Sequence, residues 1–128
     1  MDYVAKLKEF HNKFDCVTNP KTTIGDKKTR RLRQALMKEE LLEELIPAME
    51  AEDIIEIADG LGDLLYVTFG LAIAYGIDID RVFQEVHESN MTKMWSDGTV
   101  HYREDGKILK PDTYKPVDLS WVLEGIDG

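Results

Sequence analysis

A chain of 128 residues with 43% apolar side chains is long enough for one domain with a genuine core and too short for two comfortable ones. Sixteen basic against 25 acidic residues leave a formal net charge of −9, which repels nucleic-acid polymers and anionic membrane surfaces. The single Cys16 excludes an internal disulfide, and the first residues lack the basic-then-apolar pattern of a secretion signal, so a cytoplasmic protein is expected.

Tyr3, Leu7, Phe10 and Phe14 recur at spacings of three and four and predict a first amphipathic helix that ends before Asn19-Pro20. After a loop with Pro20 and Gly25, Asp26 or Thr29 caps a second helix through LRQALMKEELLEEL to about Ile46, which Pro47 ends or kinks. Asp53 is the expected cap of a third helix running to Tyr75, with Gly76 closing it. The uncharged run from Leu64 to Asp78 holds about 13 residues, short of the roughly 20 that cross a bilayer, and is read as a buried helix. Asp78 or Asp80 starts a fourth helix through VFQEVHESNMTKMW. Beyond Trp95, two short β-type runs are separated by turn signals at Asp97-Gly98 and Asp105-Gly106. The whole of 1–128 is thus expected to be one all-α domain of four-helix-bundle type, helical to about 95, with a small C-terminal hairpin or extended arm over about 96–128.

The acids carry the chemistry. On an α-helical wheel at about 100° per residue with Leu32 at zero, Leu36, Ala35 and Ile46 cluster, and Glu39 and Glu43 fall at about −20° and +20° among them. Glu40 lies near the edge of that face, while Met37, Leu41 and Leu45 form a second apolar stripe. Two apolar faces on one helix favour a homodimer or homotetramer. On the third helix Glu56, Asp59 and Asp63 have the i, i+3, i+7 spacing of a single stripe, on a helix apolar nearly all round and therefore central. Gly60 and Gly62 each cost about 1 kcal/mol relative to Ala, so a close approach to the backbone is expected there. Buried carboxylates this close together need a cation between them. A hard divalent ion, Mg²⁺ with Mn²⁺ able to substitute, suits an all-oxygen set, whereas the scattered His11, His87 and His101 give no zinc spacing and are assigned no role. Trp95 and Trp121 are expected to be packing residues.

EELLE at 39–43, the acidic EIADGLGDLLYV helix, GID and HESNMTK at 87–93 resemble the all-α nucleoside triphosphate pyrophosphohydrolases of the MazG-like superfamily. The likeness is to the phosphoribosyl-ATP pyrophosphohydrolase-like branch that includes dUTP-cleaving members. It runs from the FHNKF helix to the GKILKPDTYKP tail. The resemblance implies a Mg²⁺-dependent hydrolase that converts a nucleotide such as dUTP to its monophosphate and pyrophosphate, with Glu40 and Glu43 as metal ligands and Glu39 as the proton acceptor. Aligned on EIAD, Glu56 and Asp59 complete the metal set and Asp63 is a third acid. Aligned on DLLYV, Asp63 is the final acid and Gly60 stands where many relatives have Glu. Asn90, Lys93, Lys107 and Lys110 are the expected substrate contacts, with Lys115 also in the basic tail. Two other readings are a pyrophosphohydrolase for phosphoribosyl-ATP or a modified nucleotide, and a non-catalytic helical module whose acids hold structural cations.

Overall fold

The computed structural model describes residues 1–125 and is all-α, with no named strand among them. Two compact units part between Ile77 and Asp78.

In the first unit α1 (Tyr3–Lys13) opens on the Asp2 cap, whose carboxylate accepts from the Ala5 N–H at 3.0 Å. Asp26 caps α2 (Lys27–Lys38) by accepting from Thr29 N–H at 2.8 Å, and Asp53 does the same for α4 (Ile54–Tyr75) through Glu56 N–H at 3.2 Å. Each such cap is worth about 1 kcal/mol. Gly76, at φ 65°, takes the left-handed position after α4, where a side chain would collide with the Lys21 carbonyl. The preceding loop folds onto this end. Asn19 and Thr23 donate their N–H groups to the carbonyls of Ile73 and Tyr75, and the Asn19 amide donates to Ala74 at 2.6 Å. These bonds supply partners to carbonyls that a helix end leaves open.

The helix after Asp26 departs from expectation. Pro47 does not end it, because the chain stays helical for one more turn through α3 (Ile46–Glu50). Instead Glu39–Leu45 unwinds into a π-helix, in which the Ile46 N–H reaches back five residues to Leu41. Proline has no N–H to give Glu43 and its ring crowds that carbonyl, and the wider π-turn ahead of it relieves both problems without breaking the rod. Unwound turns rotate each residue by less than the α-helical step, so the wheel drawn for Glu39 and Glu43 does not hold.

Helix α4 is the centre of this unit, packed on α1, α2, the π segment and α3. It runs over 22 residues, from its expected Asp53 cap to Tyr75, and is long and apolar enough by length and composition alone to cross a bilayer. Its C-terminal half is enclosed, with Gly70, Ala72, Ile73 and Ala74 buried. Its N-terminal half is open: Ile54 and Ile55 are 73% and 76% exposed, and Leu61 and Leu65 about half. Along α1 only Leu7 of the expected apolar set is buried, although Tyr3 stacks on Phe69 with ring centres 5.3 Å apart and Phe10 meets Tyr66 edge-on at 5.4 Å.

The second unit holds α5 (Ile79–Met91), capped by Asp78, and the segment after it. The helix stops at Met91 rather than at Trp95, because the N–H groups of Thr92 and Lys93 fold back to Ser89 and Asn90. Both turns occur, with Gly98 and Gly106 at positive φ, but the two β-type runs make a single antiparallel bridge, Tyr102 to Ile108, and no strands. Ser89 pins the arm by donating to the Lys115 carbonyl at 2.7 Å. Trp121 packs under the Arg81 guanidinium at 3.8 Å and donates to Glu85, and Trp95 lies 4.3 Å from the His101 ring, so both tryptophans pack as expected.

Candidate active site

The π segment faces the N-terminal half of α4, and Gly60 lets them meet. A Cβ there would stand 3.2 Å from Leu45 Cα, so the close approach expected at this glycine is real. At Gly62 nothing lies within 4 Å, which overturns the same expectation for it.

Burial of the acids also differs from expectation. Glu39, Glu43, Glu56, Asp59 and Asp63 are all exposed, because the single chain leaves that half of α4 open; only Glu40 is half-buried. Its Oε2 has no contact with solvent and no hydrogen-bond partner. Burial, reinforced by the charges of Asp63, Glu39, Glu44 and Asp59, pushes its carboxyl above the ordinary value. Of these charges Glu39, Asp59 and Asp63 are acids singled out in sequence, and Glu44 is one that the sequence reading passed over. Glu44 is signalled in sequence only by its i+4 spacing from Glu40.

A divalent cation fits this group by a test of the chain itself: a desolvated, unpartnered carboxylate oxygen surrounded by four like charges has no internal source of compensation. Among the described residues no three acids converge into a ready cage.

A second polar cluster lies further along the same two helices. Arg33 is 7% exposed and His11 2%, and both reach Gly70: a Cβ there would stand 2.8 Å from Arg33 Nη1 and 3.2 Å from His11 Nε2. The His11 Nδ1 is 2.9 Å from the Val17 carbonyl, which assigns the proton to Nδ1. Burial lowers the imidazole's pKa; the Val17 carbonyl opposes this and the Arg33 charge adds to it. His11, given no role from sequence, is therefore a neutral core residue. Arg33 Nε is buried without a partner. One unmade hydrogen bond on a buried group costs about 1–3 kcal/mol, and sequence reasoning missed it. No spacing rule connects Arg33 to Gly70 across the chain.

The expected substrate contacts belong to the second unit. Asn90 is exposed and its carbonyl accepts from Lys93 N–H at 3.1 Å, while Lys93 is half-buried. Lys107 and Lys110 are exposed, the latter with its ammonium 4.9 Å from the centre of the Tyr114 ring.

Comparison with known proteins adds a lineage to this geometry. The family model described as phosphoribosyl-ATP pyrophosphohydrolase matches residues 7–90, which include both acidic helices, Arg33, Gly70 and Asn90. An uncharacterized protein of Acanthamoeba polyphaga mimivirus is 31% identical over 121 residues, covering 86% of this chain and 44% of that protein. The chain thus spans less than half the length of this relative.

Proposed function

The chain belongs to the phosphoribosyl-ATP pyrophosphohydrolase family, part of the MazG-like all-α superfamily of hydrolases acting on phosphoric anhydrides, and on that premise we propose a Mg²⁺-dependent nucleoside triphosphate pyrophosphohydrolase. Its substrate is a (deoxy)nucleoside triphosphate such as dUTP, and its products are the monophosphate and pyrophosphate. The observation that carries the reading is the unpartnered Glu40 carboxylate among Glu39, Glu44, Asp59 and Asp63.

Glu40, Asp59 and Asp63 would hold the cation, with Glu43 and Glu56 as the further acids of the motif. The metal supplies charge neutralisation on the phosphate oxygens and orientation of a water. Glu39, solvent-facing at the start of the π segment, accepts the proton as that water's oxygen bonds to the α-phosphorus. The bond from the α-phosphorus to the bridging oxygen breaks, and pyrophosphate leaves. A second copy of the chain covers Ile54, Ile55, Leu61 and Leu65, which are too exposed and too close to the acids to be left in water.

The test is a panel of ribo- and deoxynucleoside triphosphates with phosphoribosyl-ATP, assayed for pyrophosphate with Mg²⁺ and with chelator. Turnover that needs the metal and is lost in Glu40→Gln is expected. No turnover on any member, with a melting temperature unmoved by Mg²⁺, sinks the enzyme; no turnover with a Mg²⁺-dependent melt supports the cation-binding assembly module instead. Phosphoribosyl-ATP is the rival substrate because the matching family model carries its name.

A further inference from the structure

The packing of the fold leaves Gly62 unexplained. It lies inside α4, where a glycine costs about 1 kcal/mol relative to Ala, yet a Cβ there would meet nothing within 4 Å and its φ is not positive. What it keeps open is a notch on the outside of the helix. We propose that Gly62 and Tyr66 form the seat of the substrate's base, which stacks on the tyrosine ring. The word substrate rests on the hydrolase reading, and the seat rests on the aromatic geometry.

Tyr66 follows Gly62 by four residues and Asp63 by three, so it neighbours both on the helix surface, and long helical side chains lean over the turn before their own. Its ring therefore borders the notch. That ring is 42% exposed, and Phe10 meets it edge-on at 5.4 Å and 86°, a contact that occupies at most one of its two faces. Tyr3 and Phe69, by contrast, lie flat against each other. Phe14, 60% exposed with its ring centre 4.6 Å from that of Phe10, continues the aromatic surface along α1. An open aromatic face takes a heteroaromatic ring by stacking, worth about 1–3 kcal/mol, and it takes any base because every base has a π-face.

Position ties the seat to the acids. Asp63 and Asp59 precede Tyr66 by three and seven residues, about 4.5 and 10 Å along the axis of α4. Phosphates held at those carboxylates leave the sugar to span the interval and bring the base to the ring. Leu61 and Leu65, the residues given above to a second copy, project about 140° and 100° away from Tyr66 round the helix, so that partner and the base use different faces.

Calorimetry on the full chain with Mg²⁺ tests this, with the non-hydrolysable α,β-imido triphosphates of deoxyuridine and deoxyadenosine and, as a ligand without a ring, inorganic triphosphate. Tyr66→Leu should weaken both nucleotides about tenfold, the size of one stacking contact, while Tyr66→Phe should stay within about twofold of the parent. Gly62→Leu puts a good helix former in place of a poor one, fills the notch, and should weaken both nucleotides by about as much. Inorganic triphosphate should bind the parent and all three variants alike. Nucleotide affinities unmoved in Tyr66→Leu or in Gly62→Leu, a loss in Tyr66→Phe equal to that in Tyr66→Leu, or an equal loss of inorganic triphosphate overturns the proposal. A Gly62→Leu chain that loses self-association in sedimentation together with nucleotide affinity also overturns it, because the notch then belongs to the second copy. Turnover by the parent with affinities unmoved in the variants removes this inference and leaves the hydrolase; ring-dependent nucleotide binding without pyrophosphate release does the reverse.

Discussion

The α2–α4 pair ends in two different ways. Around Glu40 the π segment and the start of α4 carry five carboxylates, four of them exposed, whereas around Gly70 the pair joins α1 in enclosing a guanidinium and an imidazole. Gly60 and Gly70, which mark the two crossings, are ten residues apart, about 15 Å of helix. Opposite charges are kept apart rather than paired. The open end is therefore short of positive charge, whereas the enclosed end is set by close packing on Gly70. Helix–helix packing here stabilises the scaffold, while the electrostatics are left unfinished where chemistry is expected.

Removing the charge of Glu40 should show the contrast at its largest. In Glu40→Gln, metal-dependent turnover should fall by about a hundredfold or more, as expected for a group at the centre of a metal site. At neutral pH without metal, the same variant should unfold at a higher denaturant concentration than the parent, because four like charges then lose their target. A variant that loses activity and stability together would mean that Glu40 is a structural residue, and the two ends of the helix pair would be alike.

The glycines sharpen the comparison from the packing side. Gly70→Ala forces a methyl group to within 2.8 Å of Arg33 Nη1 and 3.2 Å of His11 Nε2, both enclosed, and should cost about 1–3 kcal/mol of stability. Gly62→Ala meets nothing within 4 Å and sits inside a helix, so it should gain about 0.5–1 kcal/mol. Urea denaturation of the two proteins side by side reads both. Equal effects in the two would show that the Gly70 crossing is not tight.

Local rules read much of this chain and tertiary rules read less. Asp26, Asp53 and Asp78 cap the helices they were expected to start, and Gly76 ends α4, because caps depend on a few adjacent residues. The acids were legible as a motif, but their burial was not. The wheel assumed α-helical turns through a segment that Pro47 holds in a π form, and it assumed neighbours that one chain does not supply. Arg33 carries no signal in the sequence pattern and His11 stands among scattered histidines, since only the α1–α2–α4 crossing brings them to Gly70.

The smallest effect expected is in the response to acid, where the two ends should pull in opposite directions. Burial holds His11 below its usual value, so the unfolded chain binds its proton near pH 6.5 while the folded chain does not. Stability from this group is complete above that pH and declines as pH drops from 6.5 toward the lowered folded value. Glu40 behaves conversely, because a carboxyl raised by burial and by neighbouring acids takes up its proton in the folded state first. Acidification through that raised value returns stability that the ionised form had removed. Urea midpoints at pH 7.5, 6.5 and 5.5 separate the two contributions. From 7.5 to 5.5 the parent should lose some stability and His11→Gln should lose less. Parallel lines for the parent and His11→Gln would mean that the imidazole is not held neutral beside Arg33, and the enclosed end would then differ from the open one in packing alone.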